Sequence, residues 1–294
     1  MSTNSELRES SLPFSFVSAS VTGRDHVRSG KNNQDGISVI HSHNATVAVV
    51  ADGCSSGTHN EIGATLGARL TCIETLRALN RYAPHNQHLL FDYPNHWEWR
   101  EGIPGRICAK LSALIDSMEV ENRASFIQDH LLFTIVGALI TPEHTAFFSL
   151  GDGVMVVNGE NIPLIIPEVN TPPYLAYRLV KTTMPSQSLI LNVNKVIATK
   201  DLEHFLLATD GLEHLRRHES SVLPGTDSLA GPTSQFWTED TFISNRDALR
   251  RRLAKITTDV VRMDSTSASI TKHPGLLPDD TTVILGRKKE AIAS

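Results

Sequence analysis

The chain has 294 residues, 40% of them hydrophobic and 20% charged, with a formal net charge of −5; that is enough for a sizeable core without covalent staples. The acidic balance argues against sequence-independent nucleic-acid binding, which needs Lys and Arg to displace counterions. Three cysteines, Cys54, Cys72 and Cys108, without CxxC spacing point to neither a disulfide framework nor a zinc site, and no apolar run approaches the ~20 residues of a membrane helix.

Residues 1–12 are polar and Ser-rich, lack the apolar region of a signal peptide, and read as a loosely held arm. A reduced, cytoplasmic protein with no membrane and no nucleic-acid partner is expected. Phe14–Val21 reads as a strand. Ile37–His41 and Thr46–Ala51, divided by a short polar turn, read as a hairpin. Thr58 and Glu61 have capping-box spacing. Behind them Ile62, Leu66, Leu70, Ile73, Leu76 and Leu79 predict a helix with an apolar face. Residues 84–101, rich in His, Asn, Trp and Pro, read as a surface insertion, and 105–126 as a second amphipathic helix.

Short β-rich runs follow over 131–140, 144–150, 154–158, 162–166, 188–193 and 204–209, divided by Pro, Gly or charged turns. Residues 218–240 read as a long loop, 243–263 as a third helix and 281–285 as a last strand, expected to return to the early ones. The Arg250–Arg252 and Arg287–Lys289 runs read as solvated surface. This is not βαβ alternation. It predicts an α+β fold, an antiparallel β-sandwich flanked by helices on both sides in four layers, α-β-β-α. A single domain over 13–288 is expected, with insertions near 84–101 and 218–240 and a tail at 289–294.

Five aspartates share a setting. Asp35 precedes a strand in Asn32-Asn-Gln-Asp-Gly36, and Asp52 ends one in Val49-Val-Ala-Asp-Gly53. Asp152 lies in a turn, Ser149-Leu-Gly-Asp-Gly153. Asp210 ends a strand in Leu206-Leu-Ala-Thr-Asp-Gly211, and Asp279 opens one in Pro278-Asp-Asp-Thr-Thr-Val283. Any one Asp-Gly alone reads as a turn. Together, carboxylates at strand ends repel one another unless something cationic lies between them. Hard divalent ions take such all-oxygen ligand sets.

The ordered motifs resemble those of the metal-dependent protein phosphatases of type 2C, in a divergent bacterial-type branch, over residues 16–286. The resemblance implies hydrolysis of phosphoserine and phosphothreonine in proteins, opposing a Ser/Thr kinase, with two Mn2+ or Mg2+ ions and a third, weaker one. It implies that Asp52 bridges the two ions and that the Gly53 carbonyl binds one of them. Asp210 and Asp279 match ligands of the other, Asp35 a carboxylate holding water, and Asp152 a ligand of the third ion. Asp35, Asp52, Asp210 and Asp279 are thus the expected catalytic set. Asp280 stands where many members have Asn and is expected to support the ligands. Thr134, in Leu132-Phe-Thr-Ile-Val-Gly137, matches a Thr near the site or is simply a strand residue.

One departure matters. The family usually places an Arg shortly before the first Asp to grip the substrate phosphate. The segment Gly23-Arg-Asp-His-Val-Arg-Ser-Gly-Lys-Asn-Asn-Gln-Asp35 has none at that offset. His26, Arg28 and Lys31 are the candidates, His26 also as a proton donor to the leaving group. A phosphatase fold that binds phosphoproteins without chemistry is the alternative. A haloacid-dehalogenase-like enzyme is disfavoured, because Val50 and Ala208 stand where its nucleophile would.

Overall fold

The structure is a computed structural model describing residues 12–92, 96–166, 172–264 and 269–289. Most of the expected arm and tail lie outside these residues. Leu12, at the arm's end, is buried between the sheets.

The strands are β1 (Phe14–Val21), β2 (Asp35–His41), β3 (Thr46–Asp52), β4 (Ile135–Ile140), β5 (His144–Leu150), β6 (Val154–Val157), β7 (Glu160–Asn161), β8 (Asn192–Ala198), β9 (His204–Ala208), β10 (Val260–Asp264), β11 (Ser269–His273) and β12 (Thr281–Lys288). The helices are α1 (Arg24–Ser29), α2 (Glu61–Asn80), α3 (Ile103–Ser117), α4 (Arg123–His130), α5 (Gly211–Arg217), α6 (Gln235–Thr238), α7 (Thr241–Ser244) and α8 (Ala248–Thr257). Two five-stranded sheets form, in the orders β1-β12-β9-β6-β7 and β2-β3-β4-β5-β8, together with a separate β10–β11 ribbon. The pairings are antiparallel, and β12 returns to β1 as expected.

Three apolar clusters define the layers. One lies between the sheets, where Phe147 and Phe205 meet edge-on at 5.6 Å, worth about 0.5–1.5 kcal/mol beyond their area. A second lies between the β2–β8 sheet and α2 and α3. The third lies between the β1–β7 sheet and α5, α6 and α8. The four-layer α-β-β-α architecture is therefore the one expected from the sequence.

Several elements differ from expectation. α2 starts at Glu61 without a capping box: the Asn60 side chain instead donates to the Cys54 carbonyl (2.8 Å) and accepts from the Leu132 amide (3.0 Å). Its buried face is made of small residues such as Gly63, Ala64, Gly67 and Ala68, while Ile62 is exposed. The reason is close approach: a Cβ on Gly36 would lie 2.2 Å from the Ala64 carbonyl oxygen, so β2 touches the helix backbone. The helix expected over 105–126 is two, α3 and α4, broken where Glu119 takes φ 50°.

The 84–101 segment is not merely superficial, because Trp99 is buried against Phe148 at 4.9 Å. Residues 162–166 form no strand, and the strand expected at 188–193 runs instead from Asn192. The helix expected to reach Met263 stops at Thr257, where β-branched Thr257, Thr258, Val260 and Val261 favour extended backbone.

Candidate metal centre

Register brings the five aspartates to one end of the sandwich. Asp35 and Asp52 are direct partners across β2 and β3. Ala208 pairs with both Val154 and Val283, so Asp210, two residues beyond it, is level with the stretches that carry Asp152 and Asp279. All five are half-buried.

Their electrostatics show the strain of this convergence. Burial, then the Asp35, Asp210, Asp279 and Asp152 charges, pushes Asp52 well above the usual carboxylate range. Burial first, with Asp280 and Asp279 adding to it, raises Asp35 to about 8. Burial, then Asp152 and Asp279, raises Asp210 to about 6, and burial raises Asp152. Two carboxylate oxygens, Asp35 Oδ1 and Asp210 Oδ1, are buried with no hydrogen-bond partner. Buried polar atoms of this kind call for a ligand. An all-oxygen donor set with orphaned oxygens and mutual repulsion fits hard divalent cations.

Supporting contacts fix the set. The Thr134 amide donates to the Asp52 carbonyl at 2.8 Å, and the Thr134 hydroxyl accepts from the Asp52 amide at 3.3 Å. Thr134 thus steadies Asp52 from the edge of β4. A Cβ on Gly53 would lie 2.5 Å from the Gln34 carbonyl oxygen, so only glycine fits beside Asp52. Asp280 is buried and holds the segment before β2: its Oδ1 accepts from the Gly23 amide (2.7 Å), and its Oδ2 from the Gln34 amide (2.5 Å) and His26 Nδ1 (2.9 Å). His26, Asp279 and Asp280 bring one ligand atom each within 4.8 Å of one another. Both Asp280 oxygens already accept N–H groups, so Asp280 ties Gly23, Gln34 and His26 together beside Asp279.

The structure changes the expectation for the phosphate grip. Arg28 forks onto Asp259, with Nε and Nη2 at 2.9 and 2.8 Å from Oδ2. Lys31 donates to the Ser55 carbonyl at 3.1 Å, and His26 is held by Asp280. All three residues expected to grip the phosphate are already engaged. Two residues escaped sequence reasoning. The Thr209 hydroxyl donates to Asp35 Oδ2 at 2.9 Å, legible only as the residue before Asp210. Tyr174 lies buried where Cys54, Asp52 and Asp152 raise its phenol further after burial has done so. Its Thr-Pro-Pro-Tyr loop carries no sequence signal for this.

The family model for protein phosphatase 2C matches residues 22–256. The chain belongs to the protein phosphatase 2C family. That membership covers most of the chain, and the family is one of serine/threonine phosphatases. A bacterial serine phosphatase bearing an arginine-to-alanine substitution overlays with a TM-score of 0.53 at 14% identity, covering 95% of this chain and 100% of that one. A further bacterial serine phosphatase structure gives 0.50 at 13%, covering 94% and 98%. The serine/threonine phosphatase Stp1 from Staphylococcus aureus gives 0.47 at 14%, covering 98% and 99%. At these identities the likeness to the first two shows the fold alone. No curated protein matches the sequence. Among the described residues no helix is long and apolar enough to cross a membrane.

The raised carboxylates make a prediction for this phosphatase domain without metal. Asp35 and Asp210 keep protons in the folded state that they release on unfolding, where their values return to about 3.8. The native state therefore binds more protons than the unfolded one, and stability falls as pH rises from about 4 to about 8. Thermal melts in EDTA should show Tm declining across that window. Added Mn2+ should raise Tm more at pH 8 than at pH 6, because protons compete for the same oxygens. A metal-induced shift independent of pH would contradict this.

Proposed function

We propose that this protein hydrolyses phosphoserine and phosphothreonine in proteins phosphorylated by a Ser/Thr kinase, with two Mn2+ or Mg2+ ions at the Asp52 centre. One observation carries the reading: five aspartates from distant parts of the chain share one end of the sandwich with orphaned, mutually repelling oxygens. Asp52 would bridge the ions, the Gly53 carbonyl would bind one, and Asp210 and Asp279 the other. Asp152 and Asp210 would hold a third, weaker ion. When bound, such ions supply Lewis acidity and a water acidic enough to attack phosphorus near neutral pH.

The chain's own groups do the rest. The Thr209 hydroxyl occupies Asp35 Oδ2 and leaves Oδ1 to accept a proton from water. Asp280 fixes the ring of His26 beside Asp279, where it can hold a phosphoryl oxygen or a proton for the leaving group. Arg28 assists only by leaving Asp259, whereas the Lys31 ammonium spends one of its three donors on the Ser55 carbonyl. A non-catalytic phosphoprotein binder is the second reading, favoured by the absence of the family's Arg from the segment before Asp35.

Turnover of p-nitrophenyl phosphate decides between them. It should require Mn2+, stop in EDTA and return when Mn2+ is restored. Phosphopeptide binding without phosphate release at any metal concentration would establish the binder instead.

A further inference from the structure

The β10–β11 ribbon pairs with neither large sheet. Alternate side chains of a strand point to opposite faces, and the two faces of this ribbon differ. Val260 and Arg262 lie on the inner one, against the 222–229 loop: a Cβ on Gly225 would sit 2.6 Å from Val260 Cγ1, and Arg262 Nη2 donates to the Gly225 carbonyl. The outer face carries Val261, Met263 and Ile270, which are 62%, 73% and 72% exposed. Met263 is opposite Ile270 in register, and Lys272 is opposite Val261. Three adjacent large apolar side chains this exposed on a small ribbon mark an interaction site. The match to the family model ends at residue 256, before the ribbon begins.

The root of the ribbon is tied to the carboxylate centre. Asp259 takes the Arg28 fork, a Lys272 ion pair at 3.1 Å and the Gly275 amide at 2.9 Å. Arg24 Nη1 donates to the Gly275 carbonyl at 2.7 Å. Arg24 and Arg28 both belong to α1, whose His26 reaches Asp280. The charged side chains linked between the root of the ribbon and α1 are Lys272, Arg28 and Arg24 with Asp25 and Asp259. Their net charge is positive, which an acidic chain would complement.

We propose that the outer face of the β10–β11 ribbon docks the phosphoprotein substrate, taking an apolar anchor joined to the phosphorylated residue by an acidic stretch. This rests on the phosphatase reading above. The net positive charge at the root of the ribbon selects the substrate chain as occupant, since that chain must run from the ribbon to the centre.

The test uses phosphoserine peptides with an acidic linker of four to ten residues ending in a Leu-Phe anchor, and matched peptides ending in Ser-Gly. Wild type should prefer an anchored peptide about tenfold in KM at one or more linker lengths, with kcat unchanged. Met263→Thr with Ile270→Thr keeps strand-compatible residues and should erase the preference while p-nitrophenyl phosphate turnover stays at the wild-type rate. Fluorescence anisotropy of the same peptides reads docking independently of catalysis. Absence of p-nitrophenyl phosphate turnover in wild type would therefore remove the phosphatase reading, while anisotropy still decides the docking. No discrimination at any linker length, or a preference that survives the double substitution, would overturn the proposal. So would a concentration-dependent dimer that the double substitution abolishes, since the face would then belong to a second copy.

Discussion

Asp52→Asn should lower Mn2+-dependent phosphate release on the order of 10³-fold and at the same time make the metal-free protein more stable. Asp52 sits deepest in the repulsion: burial and four neighbouring carboxylates all act to raise it. An amide keeps the shape, removes the charge and cannot bridge two cations. Relief of the repulsion should stabilise the metal-free fold by about 1–2 kcal/mol at pH 8, read by urea denaturation in EDTA. Activity and stability thus move in opposite directions, as expected where a functional site is held against its own electrostatics. Asp210→Asn should behave alike, with its orphaned Oδ1 lost as a ligand. Near-wild-type turnover in either variant would remove these residues from the metal centre. Loss of both activity and stability would mean that they are structural.

The second large effect falls on Asp280. Its two oxygens accept from the Gly23 and Gln34 amides and from His26 Nδ1, and the residue is buried. Alanine there leaves three donors without an acceptor. At about 1–3 kcal/mol for each unsatisfied buried group, the loss should be about 3 kcal/mol or more. Asp280→Asn keeps one carbonyl acceptor but turns an NH2 towards the remaining donors, so it should cost less than alanine. The two variants also separate stability from chemistry. If His26 acts at the phosphate, Asp280→Asn should change the pH profile of kcat even under conditions where the variant is folded. An Asp280→Ala loss below about 1 kcal/mol would show that the segment before β2 is held by other contacts.

The family assignment and the carboxylate positions were legible because their signals are local. Runs of β-branched and aromatic residues mark β1, β3 and β12, and Asp-Gly at a strand end marks a turn whatever the rest of the chain does. Once strands β2, β3, β9 and β12 are placed, antiparallel register leaves Asp35, Asp52, Asp210 and Asp279 little choice but to share an end. The buried face of α2 was misread because apolar periodicity favours large residues. Ala64 and Gly67 are chosen instead by how closely β2 and Phe133 approach the helix.

Pairings between residues far apart in the chain carry no local trace. Arg28 meets Asp259 across 231 positions and Gly23 meets Asp280 across 257, so the engagement of the expected phosphate-gripping residues emerges only when the chain packs. The same holds for Tyr174, which meets the Asp52 and Asp152 charges only in the folded chain, and for the ribbon, whose β-branched residues read as the end of a helix. Turn chemistry and side-chain period are written residue by residue. Which distant charges neutralise one another, and which carboxylate oxygens stay unpartnered, depends on burial and register that exist only in the folded molecule.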